Sequence, residues 1–135
     1  MLRRLLLASL VLLATPLTAQ DTPPEPEPAM TLDRLDTIIR ALDPQAQSNG
    51  TVWQLSVNDV QVLIVTDETA DRMRAMTPVA KTEDLAPEDL SRILQANFDT
   101  ALDARYAIAK DILWAAFIHP LKPLEKDEFI SGLGQ

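Results

Sequence analysis

The sequence predicts an α+β domain, an antiparallel five-stranded sheet packed by helices in the order α-β-β-β-α-β-β-α. Three observations predict it. Residues 51–66 and 104–119 each hold two apolar runs flanking a two-residue polar pair, Asn58-Asp59 and Lys110-Asp111, which is the pattern of a β-hairpin. Three other stretches carry apolar residues at the three- and four-residue spacings of an amphipathic helix. The second hairpin is apolar on both faces, so helices, a second copy or a guest must cover it.

Taken in order, Thr31 can cap a first helix whose apolar positions are Leu32, Leu35, Ile38, Ile39 and Leu42. Asp33 and Asp36 suit its positive N-terminal end and Arg40 its negative one. Asp43-Pro44 ends it, and residues 45–50 read as a polar loop with Asn49-Gly50 as a turn signal.

In the first hairpin, a turn at Asn58-Asp59 sets Val57 opposite Val60, Leu55 opposite Val62 and Trp53 opposite Ile64 on one surface. Ser56 opposite Gln61 and Gln54 opposite Leu63 form the other, less apolar surface. After the polar residues 67–71, the alternation of Arg72 and Arg74 with Met73 and Ala75 over 72–79 suits a third strand, with Pro78 at its end or on an edge.

Pro87 followed by Glu88 and Asp89 marks a second helix start, with Leu90, Ile93, Leu94 and Phe98 on one stripe. Residues 99–103 break the period. The second hairpin then places Tyr106, Ile108, Leu113 and Phe117 on one face and Ile112, Trp114 and Ile118, among alanines, on the other. His119-Pro120 ends it, and residues 125–133 form a last helix with Phe129, Ile130 and Leu133 inward and Gly134 beyond.

The N-terminus has the layout of a secretory signal peptide over residues 1–19. Arg3 and Arg4 precede an apolar run from Leu5 to Ala14, and Pro16 and Leu17-Thr18-Ala19 lead to a cut after Ala19. Residues 20–29, rich in proline and glutamate, read as an extended, solvated linker, and residues 30–135 as one domain. The expected location is periplasmic or secreted, with no stable membrane insertion once the leader is cut.

The chain has no cysteine and a formal net charge of −8. Removing Arg3 and Arg4 with the leader leaves a mature net of about −10, a balance that repels nucleic acid and anionic lipid headgroups. Disulfides, a lipidated cysteine and thiolate chemistry are excluded. One histidine, His119, cannot build a zinc or copper site alone. With three glycines a phosphate-cradling loop is absent. The acid pairs Glu83-Asp84 and Glu88-Asp89 flank a helix start, where negative charge is expected anyway. The expectation is therefore a non-enzymatic protein without cofactor or metal.

The run Leu94-Gln95-Ala96-Asn97-Phe98, then Ala104-Arg105-Tyr106-Ala107-Ile108, a two-residue turn, and Leu113-Trp114 through to Pro120-Leu121 resembles the second half of the YbjN and type III secretion chaperone-like superfamily. The likeness spans about residues 30–133 and rests on packing residues and turns, with Asp111 at a turn position where glycine is expected. It implies an antiparallel sheet packed by helices, small acidic homodimers that hold an extended segment of a client, or a regulatory role as in the YbjN branch. It implies no catalytic residue. The secretion chaperones work in the cytoplasm, whereas this chain is expected to be exported.

The function expected from the sequence is an exported protein-binding module, homodimeric and chaperone-like or regulatory. Its partner or dimer surface is expected around Trp114, Ile112, Ile118, Arg105 and Trp53. The alternative is a small-ligand sensor or accessory subunit of an envelope system, with a pocket between helices and sheet.

Overall fold

A computed structural model describes residues 25–135, so the expected signal peptide over 1–19 and the first part of the linker lie outside the described residues. The elements are α1 (Leu32–Leu42), β1 (Gln47–Ser48), β2 (Val52–Val57), β3 (Val60–Asp67), β4 (Arg72–Lys81), α2 (Pro87–Asp99), β5 (Arg105–Ala109), β6 (Ile112–His119) and α3 (Lys126–Leu133), with a 3-10 turn at Thr82–Asp84. The sheet has six strands in the order β1-β2-β3-β4-β6-β5, and every neighbouring pair is antiparallel.

The sixth strand corrects the expected five. Gln47 and Ser48 pair with Gln54 and Trp53 inside the stretch expected to be a loop. The Asn49 carboxamide oxygen accepts from the N–H groups of Thr51 (3.2 Å) and Val52 (3.0 Å), and Gly50 takes φ 97°. That local turn folds the chain back for two residues, too few to leave an alternating pattern.

Both hairpins turn on pairs in the left-handed region, Asn58 and Asp59 at φ 48° and 65°, Lys110 and Asp111 at 52° and 59°. These signs match the twist of the flanking strands. In the first hairpin Val57 faces Val60, Leu55 faces Val62 and Trp53 faces Ile64. β4 runs past Met76, which faces Leu63 in its last pair with β3, and pairs onward with β6 alone, with a bulge between Pro78 and Ala80. Pro78 thus sits where an internal strand has locally become an edge, and its missing N–H breaks no bond to β3.

One face of the sheet holds the core. Trp53, Leu55, Val62, Ile64, Met73, Ala75 and Phe117 pack there against Leu35, Ile38 and Ile39 of α1, Phe129 of α3, and Met30, Leu121 and Leu124 from the connections. α1 begins at Thr31, whose Oγ1 accepts from the Arg34 N–H at 3.2 Å. Its end is locked to the sheet by Asp43, whose carboxylate accepts from the N–H groups of Ser56 and Gln45, each at 2.8 Å. α3 approaches closely enough that a Cβ on Gly132 would lie 2.5 Å from the Phe117 ring. Ile130, expected inward, stands half out at the rim of α3.

Ordered contacts begin inside the expected linker. The Glu27 carboxylate accepts from the backbone N–H of Lys126 at 3.1 Å and pairs with the Arg34 guanidinium, which also donates to the Pro28 carbonyl. The Lys126 amide and Arg34 together hold the Glu27 carboxyl below its usual range. The Met30 N–H donates to the Lys122 carbonyl at 2.9 Å, which fastens the start of the domain across the entry to α3.

Candidate interaction surface

The opposite face of the sheet receives neither α1 nor α3. The register builds its rows. Val65, Arg74 and Ile118 share one, Leu63, Met76, Ala116 and Arg105 the next, then Pro78, Trp114 and Ala107, then Lys81, Ile112 and Ala109. Ile118 is 55% exposed, Pro78 and Ala107 are exposed, and Ile112, Trp114, Met76, Leu63 and Val65 are half-buried. The Trp114 indole N–H donates to the Ala109 carbonyl at 3.1 Å, so its polar end is occupied and its ring lies along the hairpin.

Of the residues singled out in the sequence, Trp114, Ile112, Ile118 and Arg105 therefore share this face. Trp53 does not join them. It lies on the core face, 1% exposed, with its Nε1–H donating to Asp36 of α1 at 2.8 Å. An isolated aromatic on an alternating strand shows which residues share its face but not which face the helices cover.

The same rows bring together cations that lie far apart in the sequence. Arg72, Arg74, Lys81 and Arg105 all stand on this face, and Asp67, opposite Arg72, is the one carboxylate among its strand positions. Arg105 is engaged, donating to the carbonyls of Asn97 and Ala101 at the C-terminal end of α2, where a cation complements the helix dipole. Lys81 pairs with Glu83 at 3.2 Å. Among the described residues, no ion pair involves Arg72 or Arg74. The alternation of Arg72 and Arg74 was visible in the sequence, but the strand order that places them beside Trp114 and Ile118 was not.

α2 lies beside the edge strand β5 and is held there by a polar clamp. The Asn97 carboxamide accepts from the Tyr106 N–H at 2.7 Å and donates to the Tyr106 carbonyl at 3.0 Å, as the peptide of a neighbouring strand would. Next along the edge, the Gln135 side chain accepts from the N–H groups of Asp103 (2.7 Å) and Ala104 (2.9 Å). The inward side of α2 is formed by Leu90, Ile93, Ala96 and Asn97, all half-buried. Leu94 and Phe98, expected on the packed stripe, instead form an i, i+4 ridge, 69% and 90% exposed. Asn97 takes the central place on the inward side because its two bonds to the strand edge outweigh a small apolar contact.

His119 sits at the end of β6 with Nδ1 2.8 Å from the Pro120 carbonyl and Nε2 4.0 Å from Glu128. Among the described residues no group of three His, Cys, Asp or Glu side chains is placed to hold a metal ion, and no helix is long and apolar enough to cross a membrane. One recess between α3 and the sheet, lined by Val62, Ala75, Ala115, Phe117, Gly132 and Leu133, has a volume of about 50 Å³, and another, lined by Phe117, Ile118, His119, Asp127, Glu128 and Ser131, about 390 Å³. Neither models of known protein families nor curated protein sequences match the chain.

Proposed function

We propose that this protein is an exported, non-enzymatic protein-binding module, chaperone-like or regulatory, that holds a segment of a partner on the sheet face that lacks α1 and α3. The observation that carries this reading is that face itself, an apolar surface around Trp114, Ile112, Met76 and Ile118 with neither α1 nor α3 over it. A contiguous apolar surface of this kind on a small protein marks an interaction site. The resemblance to the YbjN and secretion chaperone-like superfamily supports the same reading. The homodimer belongs to a separate surface, the Leu94–Phe98 ridge of α2, where a phenylalanine nine-tenths exposed is best explained by a second copy.

Addition of the partner as an extra strand is disfavoured, because β1 is only two residues long and the edge of β5 is occupied at Tyr106 and, just before the strand, at Ala104. A small-ligand sensor is the second reading: ligand pockets occupy about 300–1,000 Å³, and although the apolar recess beneath α3 holds only about 50 Å³, a recess beside it lined by Phe117, His119, Glu128 and Ser131 holds about 390 Å³ and one between α2 and β5 about 420 Å³.

The test is selection of displayed peptides on protein purified from cells expressing the full chain, with counter-selection on a Trp114→Asp, Ile118→Asp variant of unchanged circular dichroism. Enrichment of peptides that bind only the wild type is expected. Failure to enrich any such peptide overturns the reading. Sedimentation of wild type against Phe98→Glu tests the dimer, which is expected to be lost in the variant.

A further inference from the structure

We infer that the segment held on this face is acidic as well as apolar, with carboxylates spaced along an extended chain, an inference that rests on the protein-binding reading above. Its basis is an inversion of charge. The protein carries a formal net charge of −8, yet the strand positions of this face present Arg72, Arg74, Lys81 and Arg105 against the single carboxylate of Asp67. Solubility alone would not collect cations on the one sheet face that lacks α1 and α3, since a chain so rich in acids has carboxylates to spare for it.

Along β4 the cations bracket the apolar positions, with Arg74 itself lying between Val65 and Ile118 in its row. Arg74 and Lys81 stand on the same face of β4, seven residues apart, about 23 Å at the usual rise of a strand. Between them lie Met76 and Pro78 with their β6 neighbours Ala116 and Trp114. Arg105 closes the β5 side of the Met76 row. An extended segment of roughly seven residues spans that interval, its apolar side chains over Trp114, Met76 and Ile112 and its carboxylates toward the guanidinium groups. Arg72 and Arg74, with no ion pair among the described residues, have donors to offer in the forked geometry that suits carboxylates.

A second copy of this chain fits the face poorly. In a two-fold contact the same patch meets itself, which would set Arg72 and Arg74 against a second positive face whose strand positions offer only Asp67 in reply. Electrostatic complementarity suppresses such pairings and favours a partner of opposite sign.

The test uses protein purified from cells expressing the full chain and two fluorescein-labelled twelve-residue peptides. One alternates glutamate with valine and phenylalanine, and in the other lysine replaces each glutamate. The glutamate peptide is expected to bind about tenfold more tightly, with the gap narrowing in 0.5 M NaCl. Arg74→Gln should weaken it about two- to fivefold, as expected for one exposed ion pair, and Arg72→Glu with Arg74→Glu should reverse the preference. Equal affinity for both peptides, lost together in Trp114→Asp, would overturn the charge inference while leaving the protein-binding reading intact. Binding of neither peptide, with flotation on phosphatidylglycerol vesicles that Arg74→Gln abolishes, would overturn both by assigning the face to a lipid surface. A dimer abolished by Trp114→Asp but not by Phe98→Glu would also overturn the inference, by giving the face to a second copy.

Discussion

The indole N–H of Trp53 donates to the Asp36 carboxylate at 2.8 Å, joining the most buried aromatic of the sheet to the middle of α1. The other carboxylate oxygen accepts from the Nε–H of Arg40 at 2.8 Å. One acid thus satisfies a buried tryptophan on its inner side and a solvent-side arginine one helical turn on. Asp36→Ala removes the acceptor and leaves the buried indole in place. It is expected to lower stability by about 1–3 kcal/mol, the usual range for a hydrogen bond to a charged group, read by urea denaturation. An unchanged midpoint would show that the bond contributes nothing.

Acid should loosen the same contact between helix and sheet. Bonds from Arg40 and then Trp53 hold the Asp36 carboxyl below its ordinary value, and the N–H groups of Ser56 and then Gln45 do so for Asp43. Both folded values lie below the unfolded one, so the contribution is complete above the unfolded carboxylate range near pH 4 and is lost as pH falls through the folded values. Thermal midpoints are expected to decline below about pH 4, less steeply in a variant carrying Asp36→Asn and Asp43→Asn. Identical acid slopes in the two proteins would refute this.

Gly132 offers a sharper test of packing. A methyl group there would press into the Phe117 ring at 2.5 Å, and both residues are buried. Gly132→Ala should cost about 1–3 kcal/mol despite the better helix propensity of alanine. Combining it with Phe117→Leu should recover part of that loss relative to the sum of the single changes. Simple additivity in the cycle would show that the two residues do not press on each other.

The Asn97 clamp should be visible amide by amide. Asn97→Asp keeps the acceptor for the Tyr106 N–H but loses the donor to its carbonyl, whereas Asn97→Ala loses both. Hydrogen exchange at the Tyr106 amide is expected to quicken strongly in the alanine variant and less in the aspartate one. Equal protection in all three proteins would mean that α2 is held by other contacts.

The second turn leaves stability unused. Lys110 and Asp111 both adopt positive φ, which costs a lysine about 1 kcal/mol or more. Replacing the pair with Asn-Gly should raise the unfolding free energy by about 1 kcal/mol, and a lower midpoint would show that the native side chains do more than turn the chain.

Much of this architecture could be read before any coordinates. The two turn pairs fix register, because a period of two leaves a hairpin one choice of facing residues, and the pairings of Trp53 with Ile64 and Ile108 with Leu113 follow. Helix starts at Thr31 and Pro87 were legible because caps and first-turn acids are local chemistry. The rest depended on tertiary placement. β1 was hidden since two residues show no period. The rotation of α2 was misjudged because Asn97, polar and unremarkable in sequence, wins the inward position by bonding the strand edge. The cationic face stayed invisible until the order β4-β6-β5 set Arg74 beside Ile118 and Arg105 beside Ala116, for no local pattern states which strands become neighbours.

At β1 only two residues face outward along one rim, and at the other rim carboxamides from Asn97 and Gln135 already plug the main-chain groups of Tyr106 and Ala104. A stray strand therefore finds little to zip onto, and crowded copies of this molecule are protected against growing into fibres. A guest of the kind proposed would have to be gripped by side chains, so its recognition would follow its order of charge and grease and not the mere presence of a peptide backbone.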